Sequence, residues 1–410
     1  MHTITQLAVY DAVVAINGGY EPYHTAINAP KDADLSAAVA TAAYRSARGR
    51  VAPSQFGYLD DKYKAYLASI RDGAAKKHGV DVGQQAADGV LALRANDGFE
   101  NTVTYQCRSN PPPLGEFEPE GGCGGPTIDA KLAQVTPFTF ASPSQFRPPP
   151  PEDRASDQWV MDFNEVKDYG RKDSVVRMAE QTDIVYFWSE HAYVFWNRNL
   201  LQLAATRGLG AADTARFLAT AYTAMADAGI AGFEAKYFYR SWRPRTAVPR
   251  VGDDHNPKTA PDPAWAPLLS VNHPEYPSAH GFESGALIAA VASFFGTDQL
   301  DWTLDASKAT IPQLVRTERH HQSLKGILDE VSNARVWAGL HFRDSMNQGI
   351  ALGTRVGQHV LAHAFAPRPR PMPASTLPRT GADRPRRHAA IGLGVVGAGA
   401  GLVVVSRRRR

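Results

Sequence analysis

Apolar side chains in this chain recur at three- and four-residue spacing and hardly ever at spacing two. Such a period puts one apolar stripe on a helix and leaves little for a sheet to bury. The spacing therefore predicts an all-α fold, with helices over residues 4–16, 35–48, 61–77, 174–205, 211–242, 278–295 and 325–364. Two stretches break the pattern. Residues 98–160 are rich in Pro, Gly and aromatics (NPPPLGEFEPEGG, SQFRPPPPEDR) and read as a long wrapping loop. Loops of that length inside a compact body are often functional. Residues 249–277 read as a second loop, rich in Asp, Pro and Trp.

Composition narrows the class. The 410 residues are 43 % hydrophobic and 21 % charged. That is ordinary globular composition, and it excludes disorder throughout, a collagen-like repeat and a polytopic membrane protein. The formal net charge of +3 conceals an asymmetry, because residues 367–410 hold ten arginines and one acid, Asp383. The remaining residues carry 34 basic against 40 acidic groups. A nucleic-acid binder needs a basic body, so nucleic acid is set aside as a partner. Cys107 and Cys123 bracket the first Pro/Gly-rich stretch, with fifteen residues between them. In an exported protein they would close a disulfide worth roughly 3 kcal/mol in the chain-entropy picture. In a cytosolic protein they would stay reduced. Two cysteines cannot build a Cys-rich zinc site unaided.

The C-terminus carries an address. Leu377-Pro378-Arg379-Thr380-Gly381 is followed by a short basic spacer, seventeen apolar residues over 389–405, and four arginines, Arg407 to Arg410. As a transmembrane helix the apolar run would just cross a thin hydrocarbon core, and the arginines would hold its end on the cytoplasmic side. The arrangement resembles the LPxTG cell-wall sorting signal of Gram-positive bacteria. That resemblance implies cleavage by sortase between Thr380 and Gly381, attachment of Thr380 to peptidoglycan, and transient membrane contact through the tail. Residues 367–376 then form a semi-rigid Pro-rich spacer between a body of residues 1–366 and the signal at 377–410. Sorting requires export, yet the first residues show no basic n-region and no long apolar core. A secreted, wall-anchored protein is expected, with a signal peptide upstream of a miscalled start.

Three short segments carry chemistry. In Lys236-Tyr-Phe-Tyr-Arg-Ser-Trp-Arg243-Pro244 two cations lie seven apart. On a continuous helix they return to nearly one face, a clamp for a multiply charged oxyanion. In His273-Pro-Glu-Tyr-Pro277-Ser278-Ala279-His280 a helix start is signalled at Pro277-Ser278. Its free N–H groups favour an anion, the Ser278 hydroxyl adds a donor, and His280 is placed for general acid–base work. In Arg335-Val-Trp-Ala-Gly-Leu-His341-Phe-Arg-Asp344 the Arg and His are six apart, about 120° around an ideal helix. They would flank one site without stacking.

Each segment alone is common, as a solvated basic stripe, an ordinary helix cap or a core-edge pair. In this order and separation they resemble the tripartite signature shared by vanadium-dependent haloperoxidases and the type 2 phosphatidic acid phosphatases. SQFRPPPP, EQTDIVYFWSE and AVYDAVVAINGGY extend the likeness to bacterial haloperoxidases over about residues 5–365. The resemblance implies paired helical bundles around one oxyanion site. It implies that Lys236, Arg243 and Arg335 are cationic oxyanion ligands, that Ser278 supplies a hydroxyl, and that the Ala279 N–H stands where a glycine N–H usually donates. It assigns His280 to acid–base work and His341 to the vanadium of a vanadate cofactor, or to attack on phosphorus. His273 stands where bromoperoxidases have a histidine and chloroperoxidases an aromatic residue, which favours bromide. The implied partners are hydrogen peroxide, halide and a small organic acceptor. The phosphatase pattern has Asp four residues after the last histidine. Here Ser345 occupies that place and Asp344 comes one residue early, which counts against a phosphatase acting through a phosphohistidine. A non-catalytic wall protein is the third reading, opposed by the chemical competence of all seven positions.

Overall fold

The structure is a computed structural model. It describes residues 1–254 and 256–368 and, further on, the backbone of two short strands, Gly392–Val396 and Gly401–Val405, which pair antiparallel. Thr380, Gly381, the spacer from residue 369 onward and the arginines at 407–410 lie outside the described residues. The apolar run expected as one transmembrane helix is extended where it is described. Its runs of β-branched valine favour that form. Among the described residues no helix is long and apolar enough to cross a membrane.

The chain divides into two compact units. One takes residues 1–95, 196–220 and the chain from 361 onward; the other takes residues 96–195 and 221–360. In the first unit α1 (His2–Asn17), α2 (Leu35–Arg48) and α4 (Ala74–Leu93) pack on one another, with α3 (Phe56–Ala68) against α2. The Asp34 side chain caps α2 by accepting from Ala37 N at 2.7 Å. The single helix expected over 61–77 is two helices, α3 and α4, separated at Gly73, whose φ of 151° no helix accommodates.

The second unit holds every candidate residue of the oxyanion site. Its helices are α5 (Asp157–Tyr169), α6 (Ala179–Phe187), α9 (Pro244–Arg250), α10 (Ala279–Phe295), α11 (Leu324–Trp337) and most of α12 (Arg343–His363). The helices α7 (Ala192–Thr206) and α8 (Ala211–Tyr239) each contribute residues to both units. One short hairpin, β1 (Trp302–Asp305) with β2 (Glu318–His321), departs from the all-α expectation without making a sizeable sheet. Trp159, Phe163, Trp242, Trp265, Phe342 and Met346 anchor one core of this unit.

Small residues set the closest approach in the unit. Gly281 of α10 meets Gly349 of α12, Gly285 meets Ile350, and Gly353 and Gly357 of α12 meet Phe282 and Ala286 of α10. A Cβ at Gly285 would stand 2.6 Å from Ile350 O, and one at Gly349 would stand 2.8 Å from Ser278 O. The four-residue spacing lines the α12 glycines along one face, so the start of α10 rests directly on α12. The loop at 98–160 is irregular apart from short 3-10 turns, and α5 already begins within it. Cys107 and Cys123 close a disulfide across its Pro/Gly-rich part.

Three sequence-based helices end sooner than expected, and each break shapes the site. The helix expected over 174–205 is α6 and α7, interrupted at Trp188. The helix expected to 242 stops at Tyr239 because Arg240 takes φ 58°. Arg240 is held there by the Phe117 N–H on its carbonyl (2.7 Å) and by Glu116 on its guanidinium (3.1 Å). The helix expected over 325–364 breaks at Gly339, φ 74°, where a Cβ would stand 2.8 Å from Pro267 Cβ.

Candidate active site

These breaks correct two arguments made from ideal helices. Lys236 is on α8, whereas Arg243 is the residue before α9. They meet through the loop at 273–275, not along one helical face. Likewise Arg335 is on α11, and His341 lies in the turn after Gly339, so the angle of about 120° does not apply.

The loop at 273–275 is the hub. Lys236 Nζ donates to Pro274 O at 3.0 Å and to Glu275 O at 2.9 Å. Arg243 donates from Nε to His273 O (2.6 Å), from Nη1 to Leu340 O (2.8 Å) and from Nη2 to Pro274 O (3.3 Å), with Nη2 also 3.0 Å from His273 Nδ1. Most of the Arg243 fork is thus spent tying loop 273–274 to residue 340. His273 sits behind it, against Phe233 at 5.3 Å between ring centroids.

Glu275 is the functional residue that spacing did not reveal. Its Oε1 accepts from His341 Nδ1 at 2.8 Å and from the Phe342 N–H at 3.2 Å. Ser345 Oγ stands 3.4 Å from the same Nδ1 and donates at 3.4 Å to Glu275 O. A carboxylate on Nδ1 fixes the proton there and leaves the Nε2 lone pair outward. The orienting acid missing at position 345 is therefore supplied from 66 residues upstream. The only sequence signal was an acid between two prolines and two histidines in a segment that proves buried.

The α10 N-terminus lies beside this hub. Ser278 caps α10, accepting from Gly281 N at 3.4 Å, and its own N–H donates to Ser345 O at 3.0 Å. The helix start expected at Pro277-Ser278 is therefore where the structure puts it. The Ala279 N–H, first in the helix, has no intrahelical acceptor. Across the site, the Trp188 carbonyl ends α6 and accepts from Arg335 Nη1 at 3.3 Å and from the His280 ring. Trp188 is itself held by Glu330, which accepts from its Nε1 at 3.0 Å.

Burial and like charge decide protonation. Lys236 is pushed well below the usual lysine range by burial and by Arg243, opposed by Glu275 and Glu283. Burial lowers Arg243 to about 9 and Arg335 to about 10, Glu283 being the one charge that favours Arg335. His341 and His280 are held neutral by burial, with Arg243 next for His341 and Arg335 next for His280. Burial raises Glu275 to about 7 against the pull of Lys236 and Arg243. It raises Glu283 to about 8, with Asp129 adding to the rise. Three cations and three neutral imidazoles crowd one volume, which suits an anionic guest.

The donor set also fits such a guest. Arg335 Nε is buried with no hydrogen-bond acceptor, an unfavourable state that a bound oxyanion relieves, and His280 Nε2, also buried without a partner, is free to take a proton from an oxygen of such a guest. The hydrogen bonds of the His341 ring all run through Nδ1.

The molecule has the helical-bundle fold of the bacterial vanadium-dependent haloperoxidases, and residues 216–368 match the family model of the VCPO second helical-bundle domain. A bacterial vanadium-dependent iodoperoxidase superposes with a TM-score of 0.74 at 22 % identity, covering 90 % of this chain and 91 % of that one. The apo form of a bacterial vanadium-dependent chloroperoxidase gives 0.69 at 18 % identity, over 88 % and 90 %. The holo form gives 0.69 at 18 %, over 87 % and 89 %. By sequence, no curated protein matches the chain.

Proposed function

We propose that this chain is a vanadate-dependent haloperoxidase, oxidising halide with hydrogen peroxide to a hypohalous-acid equivalent that halogenates a small organic acceptor. The observation that carries the reading is the Glu275–His341 pair at 2.8 Å, which leaves the Nε2 lone pair free on a ring that Arg243, Lys236 and Arg335 all act on electrostatically. Bound vanadate supplies an electrophilic centre that activates peroxide without changing oxidation state. His341 Nε2 would hold it. Lys236 and Arg335 compensate its charge and draw electron density from it, while Arg243 chiefly fixes the loop at 273–274. Ser278 Oγ and the Ala279 N–H donate to its oxygens. His280, neutral and unpartnered at Nε2, accepts a proton as peroxide binds and returns one as the product forms.

One observation favours a second reading. Glu275 on His341 is also what a nucleophilic histidine needs for phosphoryl transfer, so Ser345 no longer counts against a phosphatase. The two readings part under vanadate. Apo-protein given orthovanadate, bromide and peroxide is expected to brominate monochlorodimedone, while vanadate suppresses any hydrolysis of p-nitrophenyl phosphate. Vanadate-sensitive hydrolysis without bromination would establish the phosphatase. His273, placed behind Arg243, suggests bromide over chloride, and a series of iodide, bromide and chloride turnover measures that preference. The LPRTG tail adds a location: export, then anchoring at Thr380 to peptidoglycan by sortase. The closed Cys107–Cys123 disulfide supports an oxidising compartment.

A further inference from the structure

The β1–β2 hairpin supplies no oxyanion ligand, yet its second strand sends two polar side chains inward. Alternate residues of a strand share a face, so Arg319 and His321 are both buried while Glu318 and His320 are exposed. Both reach Glu330 of α11. Arg319 Nε donates to Glu330 Oε2 at 2.9 Å, and His321 Nε2 lies 3.4 Å from Glu330 Oε1. Arg319 also pairs with Glu180 at 2.6 Å and with Asp183 at 3.6 Å.

Glu330 passes this grip to the site. Its Oε1 accepts from Trp188 Nε1 at 3.0 Å, and the buried Trp188 ring packs on Phe187 and Phe195 with centroids at 5.6 and 4.9 Å. α11 grips Trp188 a second time, because Arg335 Nη1 donates to the Trp188 carbonyl at 3.3 Å. Trp188 is the residue that ends α6, where carbonyls lack intrahelical partners and the helix dipole is negative. The same carbonyl accepts from the His280 ring. His280 Nε2 has no partner, so this bond runs through Nδ1–H. A proton fixed on Nδ1 leaves the lone pair on Nε2.

We propose that Glu330 is a positioning residue for the acid–base histidine. By holding the Trp188 indole it fixes the carbonyl that keeps His280 in its Nδ1–H tautomer, with Nε2 free to act as the base. The effect on turnover rests on the haloperoxidase reading of His280, whereas the tautomer does not depend on which oxyanion the cradle takes. The hairpin thereby gains a purpose, since Arg319 and His321 hold the Glu330 carboxylate from behind.

NMR of isotopically labelled histidine ring nitrogens reads the tautomer in the vanadate-free full chain, with the His280 signals identified by their loss in His280→Gln. The wild-type ring is expected to carry its proton on Nδ1. Trp188→Phe removes the indole donor and keeps an aromatic ring. Glu330→Leu removes the acceptor, while Arg319 keeps Glu180 and Asp183. In both variants the proton should be shared between the two nitrogens. Their kcat for bromide oxidation should fall about tenfold, with KM for bromide within about threefold of wild type. Glu180→Gln, at the outer end of the same network, should keep the wild-type tautomer. A proton on Nε2 in wild type, an unchanged tautomer in Trp188→Phe or Glu330→Leu, or an equal change in Glu180→Gln overturns the proposal. The expected tautomer changes in a chain that brominates nothing would support the positioning role and count against the haloperoxidase reading alone.

Discussion

Replacing Glu275 with leucine isolates what holds the His341 ring. The carboxylate accepts from His341 Nδ1 at 2.8 Å and from the Phe342 N–H at 3.2 Å, and all three groups are buried. Leucine removes both acceptors at similar volume. A buried N–H left without an acceptor costs about 1–3 kcal/mol, so Phe342 alone should lower stability by that amount. His341 escapes the same cost by moving its proton to Nε2, which withdraws the lone pair that a vanadium centre needs. Loss of a partner that orients a ligating histidine costs 10–100-fold in affinity, or about 1.4–2.7 kcal/mol. Equilibrium dialysis with vanadate measures the loss of affinity on protein verified as folded by circular dichroism, and chemical denaturation measures the loss of stability. Glu275→Gln keeps an oxygen able to accept both bonds and should retain affinity within about tenfold. A folded Glu275→Leu protein that binds vanadate as tightly as wild type would refute the orienting role.

Two further outcomes follow from packing and burial. Gly349→Ala places a Cβ 2.8 Å from Ser278 O, so one helix must shift. The expected loss is about 1–3 kcal/mol of stability, together with weaker vanadate binding; unchanged melting and binding would contradict the direct contact of α10 with α12. Glu283 is raised in the folded state to about 8, so the native form holds its proton longer than the unfolded chain does. Stability from this group is full below the unfolded value and is lost as pH rises through about 8. Glu283→Gln should therefore gain at least about 1.4 kcal/mol over wild type between pH 5 and pH 9 in urea denaturation. Parallel pH profiles for the two proteins would remove the argument.

What the sequence disclosed was local. Ser278 as a helix cap follows from Pro-Ser before an apolar run, and the structure puts the cap there. The helical class follows from apolar spacing, and Leu35–Arg48 has the expected bounds. What escaped depends on contacts remote in sequence. Arg240 turns out of the helix because Phe117 and Glu116 hold it, and nothing near residue 240 announces that. Gly339 takes φ 74° just after α11 and swings His341 off that helix, which spacing alone does not announce. Glu275 reaches His341 only once loop 273–275 is tied down by Lys236 and Arg243. The cationic residues were thus legible by spacing, but for a different geometric reason than an ideal helix supplies.

Vanadate binding to the metal-free chain bears most directly on the central idea, that Lys236, Ser278, His280, Arg335 and His341 enclose one tetrahedral oxyanion. Titration should give one vanadate per chain, displaced competitively by phosphate, with affinity lowered 100-fold or more in His341→Ala. Failure of the wild-type chain to bind vanadate, or equal affinity in that variant, would contradict it.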